Sequence, residues 1–388
     1  MSSDSVAEQT KTNGVSIVTT NEERQQFLEF PYQHYADDEH WIPPLKMEQK
    51  KLIDTDKNPF YNNADIALFL AEQNGEVCGR IAAIEDRRYN DYHNTKTGFF
   101  GFFECINDQS LVELLFKVAV DWLKEKNLTT LMGPTCPSMM DEIGILVDGF
   151  EYDPSIMMPY HKPYYDELLQ SVGFEKEMDL YAFRVDQDGV ALDRMNRAAE
   201  IMKKRYPSLS VRSVDLKNIK EEVEIVREIF NKAWSENWGF IPLTREELIA
   251  LADDLKLILD PDFAHIAEVE GQPVAFSIGL PDLNQALKHL DGTLFPFGIF
   301  KLLWHKRNIN QIRTALMGVL PEYQGKGFDA LFHRLAILNG REKGIYSSEL
   351  SWVLETNTNM VRVAERLGAE REKTYRMYKM DGLNSRFT

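Results

Sequence analysis

Cysteine is scarce in this sequence. Cys78, Cys105 and Cys136 are the only three in 388 residues, none at CxxC spacing, and an odd count argues against a disulfide framework. No HxxxH or HExxH pattern occurs, so no metal site is expected. Long apolar runs are missing as well: nothing approaches the roughly 18 consecutive residues that would read as a spanning helix. Met1 to Asn13 is polar, without an apolar h-region, and residues 1–14 read as a disordered tail. Together these absences point to a reducing cytoplasm. Positive charge is also in short supply, with 44 Lys and Arg against 61 Asp and Glu and a formal net charge of −17. That balance disfavours nonspecific binding to nucleic acid or to anionic lipid, except through a local basic patch, and no nucleic acid partner is expected. Core-forming residues are plentiful: 44% of the chain is hydrophobic and 11% aromatic, enough for two domains.

The chain repeats itself. Val15-Ser-Ile-Val-Thr-Thr-Asn21 parallels Val211-Arg-Ser-Val-Asp-Leu-Lys217, and Trp41-Ile-Pro-Pro is echoed by Phe240-Ile-Pro-Leu. Ala71-Glu-Gln-Asn-Gly75 matches Ala267-Glu-Val-Glu-Gly271 at the same offset as the first pair; Asn74-Gly75 and Glu270-Gly271 are hairpin turns between β-rich runs. Further on the offset changes, pairing Gly101 with Gly318 and Lys126 with Lys343. Val172-Gly-Phe-Glu-Lys-Glu then matches Leu367-Gly-Ala-Glu-Arg-Glu. A constant order with drifting offsets indicates a duplicated domain with insertions. The halves are read as 15–185 and 209–383, joined by a charged helical linker over 186–208.

One stretch in the second half suits a phosphate. Leu316 to Leu320 reads as a strand end, and Pro321 stops it. Gln324-Gly-Lys-Gly-Phe-Asp329 is a glycine loop, and Leu331, Leu335 and Leu338 follow at helical spacing. A helix start behind such a loop offers free N–H groups and the positive end of a dipole. GxxxxGK[ST] is absent because Phe328 follows Gly327, and GxGxxG is absent because Gly325-Lys-Gly327 continues as Phe-Asp-Ala. What remains resembles the pyrophosphate loop of the GNAT acyltransferases, Gln/Arg-x-x-Gly-x-Gly/Ala, with Asp329 at the last position. Asn357-Thr-Asn-Met-Val-Arg-Val-Ala364 to Gly368 is similar to the last helix of that family, with Ala364 where its usual tyrosine stands. In the first half the corresponding loop, Asn107-Asp-Gln-Ser-Leu-Val, has lost the glycines.

The resemblance implies an α/β fold with an α+β mixed sheet: two tandem GNAT-like domains, each a mostly antiparallel sheet flanked by helices, the first degenerate and either structural or substrate-shaping, the second acyl-CoA-binding. It implies an acyl-CoA-dependent N-acyltransferase, with acetyl-CoA or a longer acyl-CoA as co-substrate and a small-molecule or lipid-like primary amine, such as a sphingoid base, as acceptor. Val319 and Leu320 would meet the pantetheine and the thioester oxygen. Gln324, Gly325, Lys326, Gly327, Phe328 and Asp329 would present N–H groups to the pyrophosphate, and Asn357 would bond the pantetheine arm. Glu355, at the end of the following strand, is the candidate base. Tyr378 and Tyr375 are candidates for the acid missing at Ala364; each also reads as a core aromatic. Two rival functions stand beside this one. Paired GNAT-like halves also occur in aminoacyl-tRNA-dependent transferases, which the net charge disfavours. Asp329 and Ala364 fit a non-catalytic acyl-CoA sensor.

Each half carries its own insertion. In the first, Gly133 to Tyr165 gathers Asp141, Glu142, Tyr160, His161, Tyr164 and Tyr165 among Gly and Pro, and Glu142, His161 and Tyr164 are candidate substrate contacts. In the second, 293–307 is a dense apolar run, with Phe297 and Trp304, that ends in His305-Lys-Arg307. It reads as a lid packed between the halves, as a wall for a long acyl chain, or as a peripheral contact with the inner face of the membrane.

Overall fold

The computed structural model describes residues 14–385, apart from residues 191 and 257 and the side chain of residue 384. The expected tail lies outside the described residues, save Gly14, which opens the first strand. Thirteen strands form one continuous mixed sheet. In the first half they are β1 (Gly14–Ile17), β2 (Ala64–Gln73), β3 (Glu76–Asp86), β4 (Thr97–Cys105), β5 (Thr130–Gly133), β6 (Ile145–Asp148) and β7 (Glu175–Asp186). In the second they are β8 (Ser210–Ser213), β9 (Ala264–Val269), β10 (Gln272–Pro281), β11 (Gln311–Val319), β12 (Ser347–Leu354) and β13 (Glu370–Asp381). The helices that matter below are α1 (Asn21–His34), α2 (Gln109–Glu125), α3 (Leu192–Arg205), α4 (Ile219–Ala233), α5 (Gly298–His305), α6 (Phe328–Lys343) and α7 (Thr358–Arg366).

The duplication is written in the register. Val15 sits opposite Ala71 and Val211 opposite Ala267; Ala71 sits opposite Gly79 and Ala267 opposite Ala275. Both hairpins carry a bulge at the same place, between Ala71 and Glu72 and between Ala267 and Glu268. The expected pairing of Gly101 with Gly318 is not seen. Gly318 faces Phe276, the counterpart of Arg80, and Arg80 faces Glu104. Gly101 faces Ala82, whose counterpart Ile278 faces Leu316.

The strand order is β1-β2-β3-β4-β5-β13-β7-β12-β11-β10-β9-β8, with β6 also pairing to β13. Each half therefore receives its closing strand from the other. β13 pairs with β5 of the first half, and β7 pairs with β12 of the second. The two exchanged strands run antiparallel side by side at the centre. They are of equal length, 12 residues, and share one alternation of buried and exposed positions. On the first-half side, Leu111, Leu115, Phe116, Ala119 and Leu123 of α2 seat in a closed core with Phe100 and Phe103. Burying a leucine or phenylalanine of this kind contributes roughly 1.5–3 kcal/mol. The linker helix α3 lies against α6, with Met195, Ala199 and Met202 buried and Arg334 Nε donating to Asn196 Oδ1 at 2.7 Å.

Candidate active site

Parallel strands β11 and β12 pair only from Gln311–Ser347 to Thr314–Leu350. Beyond that point they part. Ser351 and Trp352 also drop out of the pairing of β12 with β7. On its other edge β11 stays bonded to β10. The Leu320 N–H donates to the Val274 carbonyl at 2.9 Å. Because antiparallel partners alternate, Gly318 and Leu316 also turn their peptide groups toward β10, and Met317 and Val319 turn theirs into the gap. Their carbonyls are already met: Trp234 Nε1 donates to Met317 O at 2.9 Å, and Gln324 Nε2 to Val319 O at 3.1 Å. The gap is thus lined by amide donors. Of the expected pair, the Leu320 N–H is committed to the ladder, while the N–H groups of Val319 and of Met317 turn into the gap.

The loop after β11 supplies a second set of donors. Gly325 and Gly327 adopt φ of 67° and 99°, values that glycine reaches without strain. Helix α6 then starts with no side-chain cap. Among the described residues, no acceptor meets the N–H groups of Gly325 through Ala330; the first bonded amide is that of Leu331, to Gly327 O at 3.1 Å. Lys326 folds over the Tyr323 ring and donates to the Glu322 carbonyl. Tyr206, just past the basic turn Lys203-Lys204-Arg205, packs on Tyr323 and Phe328. Unbonded amides at a helix start with cations nearby fit the diphosphate of a CoA thioester. Asn357 caps α7, its Oδ1 accepting from Met360 N at 3.1 Å, which leaves its amide NH2 for a ligand. Ala364 is buried in one cluster with Phe183, Val185, Leu350 and Val353.

The first half reaches across to this gap through its insertion. A short hairpin pairs Thr135–Cys136 with Glu142–Ile143. The chain then runs over the second half and is fastened there. Ile156 N donates to Asp282 Oδ1 at 2.8 Å, Asn284 Nδ2 to Pro154 O at 2.9 Å, and Lys288 pairs with Asp153 at 2.6 Å. Beneath it lies a buried ionic group. Glu349 accepts from Ser155 and Ser351 hydroxyls at 2.8 and 2.7 Å and pairs with Lys373 at 3.0 Å. Arg313 donates to Ser351 Oγ at 2.9 Å and to Ile156 O at 3.1 Å, and lies over the Trp352 ring. With all these partners, Glu349 keeps its carboxyl below the ordinary value although burial opposes it. A charge taken out of water needs this much compensation.

Glu142 lies at the edge of that group. Its residue surface is half-covered, but the protein around its carboxyl removes it from bulk water. This burial pushes its pKa up to about 7; Asp141 adds to the rise and Arg313 opposes it. Burial likewise raises Asp141 to about 6, against the hydrogen bonds it accepts from Ser138. Tyr375 is fully buried, held far above the usual phenol range by burial and by Glu349, and its hydroxyl has no partner among the described residues. Trp352 Nε1 is a second buried donor without a partner among them. Met139, Met140, Met158 and Trp238 belong to the same apolar group as Tyr375 and Trp352.

The remaining expected residues fall elsewhere. Glu355 pairs with Lys176 at 2.8 Å and accepts from Asp179 N at 3.0 Å, so both oxygens are engaged in joining β12 to β7. Tyr378 sits on the opposite face from Tyr375, in the first-half core, donating to Asp166 at 2.6 Å. His161 is buried and neutral, its pKa lowered to about 3 by burial, and its Nδ1 accepts from Leu146 N at 3.1 Å. Tyr164 donates to Cys105 O at 2.8 Å in the first half. Phe297 and Trp304 project into solvent, 72% and 67% exposed, so 293–307 is neither a lid between the halves nor a wall at the gap. Arg313, Glu349, Trp234 and Trp352 escaped the sequence reading. The signal for two of them was a charge inside an otherwise buried strand, at Ile312-Arg-Thr-Ala and Ser348-Glu-Leu. Among the described residues no helix is long and apolar enough to cross a membrane.

No family model matches the chain. It is 36% identical over 360 residues to protein YghO of Escherichia coli (strain K12), covering 91% of each chain. It is 34% identical over 370 residues to the bacterial ceramide synthase of Caulobacter vibrioides, covering 93% of this chain and 96% of that one. Among solved structures, a tandem GNAT protein from the clavulanic acid biosynthesis pathway superposes with a TM-score of 0.57 at 12% identity, over 96% of this chain and 99% of that chain.

Proposed function

The chain belongs to the tandem-domain N-acyltransferases of the GNAT superfamily, and from that membership we propose that it transfers a long acyl group from acyl-CoA to the primary amine of a lipid-like acceptor such as a sphingoid base. What supports the reading is Glu142, on the hairpin of the first half's insertion, whose carboxyl is raised to about 7 by burial and by Asp141 and feels the charge of Arg313 on β11. The name of the Caulobacter relative and the apolar surroundings of Tyr375 and Trp352 support a lipid amine over a small polar one.

In this reading the amides of Gly325 through Ala330 hold the diphosphate. The Met317 and Val319 N–H groups hold the pantetheine and meet the thioester oxygen as negative charge develops there. Asn357 steadies the pantetheine arm. Glu142 takes a proton from the acceptor's ammonium, leaving the amine lone pair free to form the C–N bond as the C–S bond breaks. A carboxyl with a pKa near the working pH is suited to that task. Tyr375 keeps its proton and acts as a hydrogen-bond donor. The thiolate leaves without a tyrosine at position 364 and takes up the second proton, which the nitrogen sheds as it becomes an amide.

The test is a thermal-shift series with CoA, acetyl-CoA and palmitoyl-CoA on wild type and Gly327→Trp, followed by turnover with sphinganine and with short-chain amines. A larger shift with palmitoyl-CoA, lost in the variant, and turnover of sphinganine are expected. Equal shifts with all three ligands, and turnover of small amines alone, would overturn the long-chain lipid reading. No shift with any would remove the CoA site itself.

A further inference from the structure

Among the described residues, five of the twelve exposed large hydrophobic side chains fall within ten residues of one another: Phe295, Phe297, Phe300, Leu303 and Trp304, each 56–72% exposed. The others are scattered. A cluster of this kind on a water-facing surface marks a contact surface, whereas single exposed apolar residues are ordinary. Nor is the segment loosely attached. Gly292 packs against Tyr32, and its carbonyl accepts from Lys46 N at 2.9 Å. Ile299 N donates to Leu294 O at 2.7 Å, Leu302 packs on the second-half core, and His305 stacks on His289 at 3.8 Å. One side of α5 is thus fastened to the protein, and the fold itself turns the aromatic side outward.

The charge of the segment singles out the occupant. From Gly292 through Pro321 there is no Asp or Glu, in a chain that holds 61. The same stretch carries Lys301, Lys306 and Arg307, all exposed, beside the aromatic residues. At the attachment point Met47 is 50% exposed, close to Lys50, while Lys46 is paired with Glu29. Across a Debye length of about 8 Å the local charge decides, not the net charge of −17. Aromatic side chains flanked by lysine and arginine suit the boundary between acyl chains and anionic headgroups. We propose that Phe295–Arg307 docks the protein on an anionic phospholipid surface. The proposal does not depend on the acceptor reading, although docking would present the enzyme to amines that reside in a bilayer.

Flotation of the full chain with vesicles of phosphatidylcholine, with and without phosphatidylglycerol, tests it without any substrate. Three proteins are compared: wild type, a Phe297→Ser/Phe300→Ser/Trp304→Ser variant and a Lys301→Glu/Lys306→Glu/Arg307→Glu variant. Wild type should float with the anionic vesicles and about tenfold less with neutral ones or at raised salt. Both variants should stay at the bottom with an unchanged melting temperature, since the altered side chains are exposed. Brominated lipids should quench wild-type emission more than that of Trp304→Phe. The proposal falls if wild type does not float, or if the apolar variant floats like wild type. It falls equally if wild type ignores vesicles but dimerises through this patch, which sedimentation of the apolar variant as a monomer would reveal.

Discussion

The two halves share a register down to one bulge, yet they treat the same three positions in opposite ways. In the first half every residue of β4 is buried; in the second, Thr314 through Met317 of β11 are half-exposed. In the first half the start of α2 is capped by Asp108, whose Oδ1 accepts from Leu111 N at 3.1 Å; in the second the start of α6 is bare. Where β4 and β5 part after Phe99–Met132, the chain itself fills the wedge, so close that a Cβ on Gly101 would lie 1.7 Å from Thr135 O. The first half has thus met its own open hydrogen-bonding groups with its own atoms. The second leaves them open among the described residues. A carboxylate at a helix N-terminus complements the dipole as a phosphate would, so Asn107-Asp108 forms a stable cap where the second half has a glycine loop.

The comparison can be broken at several points. The largest effect is expected from Glu142→Gln, which should lower kcat by about 100- to 10,000-fold while leaving the acyl-CoA thermal shift intact. In wild type, kcat/KM should rise with pH up to about 7 and level off above it, because a base works only when deprotonated and burial has raised this one; an unchanged profile in the variant would remove Glu142 from the reaction. Next, Gly327→Trp should abolish the ligand-induced shift, which at a ligand concentration about a hundred times Kd amounts to roughly 2.7 kcal/mol. Its counterpart, Gly101→Val, should instead destabilise the unliganded fold, by about 3 kcal/mol or more in denaturant titration, because Thr135 backbone stands where the side chain would go. Asp108→Ala should cost about 1 kcal/mol through loss of the cap and leave turnover unchanged. A Glu355→Gln variant, with its carboxylate half-solvated beside Lys176, should alter stability by less than about 1 kcal/mol and keep wild-type turnover.

The duplication and the glycine loop were legible because both rest on local chemistry. Hairpin turns at Gly75 and Gly271 need a positive φ, and the loop at Gly325 and Gly327 needs two more. The exchange of β7 and β13 left no such mark. Two strands of equal length with one shared burial pattern carry no local instruction about which neighbour to choose. Glu142 and Tyr375 were legible as single candidates, but their surroundings were not. Arg313, Glu349 and Trp352 are far from them in sequence, and the insertion is fastened across the halves by Asp282, Asn284 and Glu349. Glu355 looked available as a base because its strand end was visible and its partner Lys176, on the borrowed strand, was not.

That borrowing has a hereditary consequence. A gene cut at the linker would encode a second half whose β12 no longer has β7 beside it, and a raw strand edge that invites other chains to pair. The first half therefore cannot be shed by deletion. Each copy holds the other's last strand, so the duplication behaves as one indivisible inheritance.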